Sequence, residues 1–115
     1  MVIDRATLLL SLRTALLDAV PAELRAVTYG CEGEHVVLRF LFDGAIDPGD
    51  EEDLRIIGTE VISNFASPAT IEEQFVRVDY PADLDAHGLQ EWVYRRKEST
   101  AGGWPLPRSR LLKGG

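Results

Sequence analysis

The sequence predicts an α+β domain in which one mainly antiparallel, four-stranded sheet carries two helices on one face. Two segments repeat apolar residues at helical spacing, and four shorter segments resemble strands, so that the order is helix, hairpin, helix, hairpin (αββαββ). The chain has 115 residues, of which 45% are hydrophobic, enough for one core without metal or disulfide links. We assign residues 1–98 to this domain and residues 99–115, rich in Gly, Pro, Arg and Ser, to a flexible basic tail.

The two predicted helices have recognisable starts and ends. The first spans residues 5–19, with Asp4 as its N-cap and Pro21 just beyond it. The second opens at "DPGD", with Asp50 as its N-cap, and ends at "ASPAT". Gly58 lies on the apolar face of the second helix, where we expect it to allow close approach to the sheet.

The segment between the helices predicts a β-hairpin. Its strands span residues 24–31 and 35–42, and Gly33 in the turn allows positive φ. One face of the second strand is apolar, and the other face still includes Val37 and Leu41. That second face is more apolar than a solvated face requires, so we expect the tail or another protein to cover part of it.

Two further strands are predicted after the second helix, over residues 71–80 and 90–98, joined by a loop over residues 81–89. In the last strand Trp92 and Tyr94 are expected on one face, followed by three cationic residues. Aromatic and basic residues together are typical of single-strand nucleic-acid platforms. We favour a buried aromatic face with a basic end, because the rest of the body is acidic.

Charge is distributed unevenly along the chain. Residues 1–94 contain 18 Asp or Glu and 6 Arg, a balance of −12, whereas residues 95–115 contain 6 Lys or Arg and one Glu, a balance of +5. An acidic body argues against nucleic acid as a partner and favours a basic protein. The apolar N-terminal segment is interrupted by charges and is too short to span a membrane, so the sequence favours a soluble, cytoplasmic protein.

The negative charge is concentrated around the start of the second helix. Acidic residues there stabilise the helix dipole, and this accounts for those in the first turn. Because the run extends further, a second interpretation adds a partner-binding surface to the helix start. The spacing does not match a calcium loop. The candidate contact residues are Asp43, Asp47, Asp50, Glu51, Glu52 and Asp53.

Catalytic and metal-binding motifs are absent from the sequence. The two histidines, His35 and His87, are far apart and have no metal-ligand spacing, and the single cysteine, Cys31, excludes an internal disulfide. We therefore expect no enzyme activity, no cofactor and no metal, and Cys31 as a structural thiol. A deep polar pocket around His35 or Cys31 would favour an enzyme instead.

Several segments together resemble a known group of proteins. "RFLFDG", the acidic helix start, "EVI", "RVDYP" and "EWVYRRKE" cover roughly residues 24–98. They are similar to small bacterial proteins, some of which are immunity proteins of polymorphic toxin systems, of the Maf type or from contact-dependent inhibition. The resemblance implies a non-enzymatic protein that binds and neutralises a toxin domain, and many such toxins are basic nucleases.

The alternative to an immunity protein is a general interaction module or a homodimeric adaptor. It would associate through the second sheet face that carries Val37 and Leu41. We expect either a monomer or a weak homodimer, and light scattering distinguishes the two.

Overall fold

A computed structural model of the chain describes residues 4–63, 65 and 69–98, and the predicted tail lies outside them. The elements within these residues are two α-helices, four strands and a short 3-10 helix. Their bounds are α1 Arg5–Leu16, β1 Leu24–Glu32, β2 His35–Phe42, α2 Pro48–Ser63, β3 Thr70–Arg77, a 3-10 helix Asp85–His87 and β4 Glu91–Arg95. The α+β class is confirmed. The predicted order omitted the 3-10 helix between the last two strands.

Helix α1 ends three residues before its predicted end. Leu17 leaves the helical region of backbone space, and Asp18 has a φ of 65°, so the helix cannot continue to Pro21. Asp4 occupies the N-cap position as predicted, and the Thr7 hydroxyl donates a hydrogen bond to its carboxylate.

The sheet is mixed, so the prediction of a mainly antiparallel sheet is wrong. Its strand order is β3-β2-β1-β4, with β1 antiparallel to both neighbours and β3 parallel to β2. Helix α2 forms the crossover between the parallel pair. The chain then passes through residues 78–90 to the opposite edge, so β3 and β4 do not form the predicted second hairpin.

Both helices pack on one face of the sheet and form the main core with it. Leu8, Leu12 and Leu16 of α1 and Leu54 and Val61 of α2 are buried there. Each such side chain contributes about 1.5–3 kcal/mol by leaving water. Gly58 fulfils its predicted role, since a Cβ atom there would lie 2.6 Å from Oε2 of Glu73.

The connection between β3 and β4 covers part of the second sheet face. Val78 and Leu84 are buried against Ala26 and Leu41, and Leu41 has no exposed surface. The Arg39 guanidinium donates to the backbone oxygen of His87 at 2.8 Å. The cover expected from the tail or from another protein is thus supplied by residues 78–90.

A bulge in β4 separates two aromatic side chains that were expected on one face. Val27 pairs with Tyr94 and Thr28 pairs with Trp92, so Val93 is an extra residue in β4. Trp92 therefore packs against Ala26, Leu41, Val78 and Leu84 on the second sheet face. Tyr94 packs against the main core on the helix side.

Candidate functional site

The acidic stretch begins α2 differently from the prediction. The helix starts at Pro48, so Asp47 is the residue before it and Asp50 lies inside the first turn. The backbone oxygen of Asp47 accepts the Glu51 N–H at 3.1 Å, and its carboxylate accepts the Gly49 N–H at 3.4 Å. The assignment of Asp50 as N-cap is therefore wrong, because proline is favoured at the first helical position and places the cap one residue earlier.

Four carboxylates converge near this helix start. Partial burial, followed by the charges of Asp47, Glu23 and Asp53, raises the pKa of Asp50. Glu23 belongs to the turn before β1. Its backbone oxygen accepts the Asp43 N–H at 2.9 Å. We call the following residues the helix-start cluster: Glu23, Asp47, Asp50, Glu51, Glu52 and Asp53.

The members of the helix-start cluster differ in how far their charge is compensated. Glu51 lies 3.5 Å from Arg55, which also stacks over the Phe75 ring at 4.9 Å. Glu52 and Asp53 are exposed and form no ion pair with any described residue. The most accessible uncompensated charge is thus on Glu52 and Asp53.

Asp43, which the sequence grouped with this stretch, has structural partners of its own. Its carboxylate accepts the Tyr80 N–H at 3.1 Å and lies 3.3 Å from Arg96. Arg96 also donates to the backbone oxygen of Ala22 at 2.8 Å. Asp43 therefore joins three chain segments beside the helix-start cluster.

A cavity with a volume of about 440 Å³ lies on the open part of the second sheet face. Two of its polar side chains are engaged in the chain's own contacts: Arg39 donates to Gln74 at 2.9 Å, and the Gln90 side chain accepts the Cys31 N–H at 2.9 Å. The residues that line it are Gly30, Cys31, Glu32, His35, Val37, Arg39, Gln74, Leu89 and Gln90.

Cys31 and His35 do not form a nucleophile and base pair in this cavity. The half-buried Cys31 thiol packs against the main core on the helix side, as predicted for a structural thiol, while His35 bonds to the Thr70 hydroxyl at 2.7 Å. Burial raises the pKa of Cys31, which keeps the thiol protonated, whereas a nucleophilic cysteine needs a lowered pKa.

The aromatic and basic residues near the end of β4 do not form a joint platform. Arg95 stacks on Trp92 at 4.6 Å and pairs with Asp85 at 2.9 Å. Tyr94 lies on the other face, and Arg96 pairs with Glu98 at 2.9 Å. The prediction of a single buried aromatic face is therefore wrong, because the bulge in β4 places Trp92 and Tyr94 on opposite faces of the sheet.

Within the described residues, no group of three or more His, Cys, Asp or Glu side chains is arranged to hold a metal ion. Neither described helix has the length and apolarity that crossing a bilayer requires.

The described residues form a small α+β domain with acidic side chains at the start of α2. A family model described as MafI2 immunity protein matches residues 5–98, and the chain belongs to this family. A search of curated proteins finds no match. Membership implies a protein toxin as partner, and immunity families are generally non-enzymatic.

The sequence did not indicate that Glu23 belongs with the helix-start cluster. Glu23 precedes Asp47 by more than 20 residues, and the β1–β2 hairpin brings the two segments together. The residues around Glu23 carry no signal of this contact, because the pairing of Leu24 with Phe42 places the turn beside α2.

Proposed function

We propose that this immunity protein binds and neutralises a basic toxin domain, possessing nuclease activity, through the helix-start cluster, with Asp43 at its edge. The observation that supports the proposal is the exposed charge of Glu52 and Asp53, which no described residue compensates. A complementary basic surface on the toxin would supply that compensation.

The electrostatic consequence concerns mainly the rate of association. The described residues contain all 19 carboxylates of the chain and nine of its 12 Lys and Arg side chains, so the domain has a negative field. Such a field steers a basic partner and speeds its association, and added salt weakens the effect. Neutralisation then follows if the bound domain covers the toxin's active site or an adjacent surface, without catalysis or a cofactor.

Charge reversal at the helix start tests the proposal. Replacing Glu51, Glu52 and Asp53 with Lys is expected to slow association with the toxin by about tenfold or more at low salt and to flatten its salt dependence. Stopped-flow or surface plasmon resonance measurements at several salt concentrations provide the rates. An unchanged rate would remove the helix-start cluster from the interface.

A matched pair of single substitutions separates local from overall charge. Glu52→Lys and Glu32→Lys change the net charge equally, and both residues are exposed and form no ion pair with described residues. Glu32 lies at the end of the β1–β2 hairpin, at the opposite end of β2 from the start of α2. We expect only Glu52→Lys to slow association strongly, whereas equal effects would indicate overall charge rather than a defined surface.

We infer a monomer, or at most a weak homodimer, for the free protein. The alternative homodimer through the second sheet face would need Leu41, which residues 78–90 bury. Light scattering across a concentration series tests this inference. A stable dimer at micromolar concentration would favour the homodimeric adaptor as the function of the protein.

A further inference from the structure

A second surface feature lies on the outer side of the helix layer. Between α1 and α2 is a groove with a cavity volume of about 330 Å³, at the small end of the range for ligand pockets. Its apolar walls come from Leu10, Ala15 and Val61. Its polar groups are the hydroxyls of Ser11 and Thr14 and the carboxylate of Glu60.

The polar groups of this groove have no partners among the described residues. Neither the carboxylate of Glu60 nor the hydroxyls of Ser11 and Thr14 form a side-chain hydrogen bond or ion pair with them. Leu10 on the wall is 67% exposed although it is a large apolar side chain. The groove therefore presents apolar surface next to a negative charge and two further acceptors.

We infer that this groove receives an arginine side chain from the toxin, an inference that rests on the proposed function for the identity of the partner. The aliphatic stem of an arginine can lie along Leu10 and Ala15, as the stems of long cationic side chains do on apolar surfaces. Its guanidinium has five N–H donors and no acceptor. It matches a site that offers one carboxylate and two hydroxyl oxygens.

The groove is continuous with the helix-start cluster along one side of α2. Asp53 and Glu60 are seven residues apart, which is two helical turns and about 10.5 Å of rise. Ile56 lies between them on the same side and is 48% exposed. A single basic segment of the toxin can therefore contact the groove and the helix-start cluster together. It would make an apolar contact with Ile56 and charged contacts with Asp53 and Glu60.

The first test needs no toxin. In ¹⁵N-labelled protein, titration with Nα-acetyl-arginine amide is expected to shift the backbone amides of Ser11, Thr14, Glu60 and Val61 in a saturable way. The citrulline analogue, which has the same shape and no charge, should bind at least about tenfold more weakly. Glu60→Gln should weaken arginine binding by a similar factor, while Glu32→Gln should not change it.

The outcomes of this titration are distinct. Localised, charge-dependent shifts that Glu60→Gln reduces would support the arginine site. Shifts spread evenly over surface carboxylates, or equal binding of the citrulline analogue, would overturn it. That negative result would not contradict the proposed function, because the proposed function is tested separately by the rate at which the Glu52→Lys protein associates with the toxin.

The second test uses the toxin complex. Glu60→Gln is expected to lower toxin affinity by about 10- to 100-fold, mainly through faster dissociation, and Glu32→Gln by less than about twofold. Thermal unfolding of the free variants checks that both remain folded. A loss below about twofold for Glu60→Gln would exclude the groove from the interface. If Glu52→Lys still slowed association, the proposed function would stand without it.

Discussion

Arg25 and Glu98 form a two-pronged ion pair, with Nε–Oε2 at 2.7 Å and Nη2–Oε1 at 3.0 Å. Arg25 is the extra residue of a bulge in β1, and its side chain is only 3% exposed. Its remaining terminal nitrogen, Nη1, donates to the backbone oxygen of Val78 at 2.7 Å. One guanidinium thus joins the first strand, the β3–β4 connection and the segment after β4.

Removing the acidic partner of this pair is expected to destabilise the fold. Glu98→Gln leaves a buried guanidinium without its counter-charge, and the free energy of unfolding should fall by about 3 kcal/mol. Urea denaturation measures the change. The matched control is Glu91→Gln, whose ion pair with Arg5 is about half exposed on both sides, and there we expect less than about 1 kcal/mol. Equal losses would mean that burial of the Arg25 pair has no special effect.

The same pair predicts a dependence of stability on pH. Hydrogen bonding from Arg25 lowers the pKa of Glu98 below its ordinary value of 4.5. Since the folded state has the lower pKa, the stabilisation is full above the unfolded value and is lost as pH falls through the folded value. The difference in stability between the native protein and Glu98→Gln should be constant above about pH 5.5 and shrink below pH 4.5. A difference that grows on acidification would contradict this assignment.

The local elements were predictable because their signals lie within a few residues. The β1–β2 hairpin follows from alternation and from Gly33, whose φ is 62°. The spacing of the apolar residues in α2 predicted which face of the helix is buried. The error at Asp50 was also local, since Pro48 already marked the first helical position and placed the cap at Asp47.

The choice of sheet edge was not predictable from adjacent residues. Strands β3 and β4 follow each other in the chain, yet they pair with β2 and β1 at opposite edges. That arrangement depends on α2 packing as a crossover and on burial of Leu84 under the sheet, both of which are non-local. The candidate site shares this limit: contacts between segments place Glu23 beside Asp50 and Glu60 beside Leu10.

The position of Gly88 under an aromatic ring leads to a further prediction. A Cβ atom there would lie 2.5 Å from Cζ2 of Trp92, so Gly88→Ala forces the indole or the backbone to move. We expect a loss of about 1–3 kcal/mol in the free energy of unfolding, measured by urea denaturation. Gly30→Ala is the control, because its Cβ would meet Leu89 at an ordinary contact distance of 3.7 Å. A native-like Gly88→Ala protein would mean that Trp92 does not rest on this glycine.

The carboxylates of the helix-start cluster are expected to favour toxin binding while they lower the stability of the free protein. The raised pKa of Asp50 means that its charged form is less favourable in the folded protein than in the unfolded chain. Asp50→Asn should therefore raise the Tm at neutral pH, and this gain should shrink as pH falls through the raised pKa, since the native carboxyl is then protonated too.

The same substitution should slow association with the toxin, because it removes one charge from the proposed surface. Glu32→Gln removes an equal charge from the hairpin end, away from Asp47 and Glu23, and should change neither the Tm nor the association rate appreciably. Scanning calorimetry and association kinetics on the two variants measure both quantities. If Asp50→Asn lowered the Tm, the carboxylate would be stabilising the start of α2, and its repulsion from Asp47 and Glu23 would be the smaller effect.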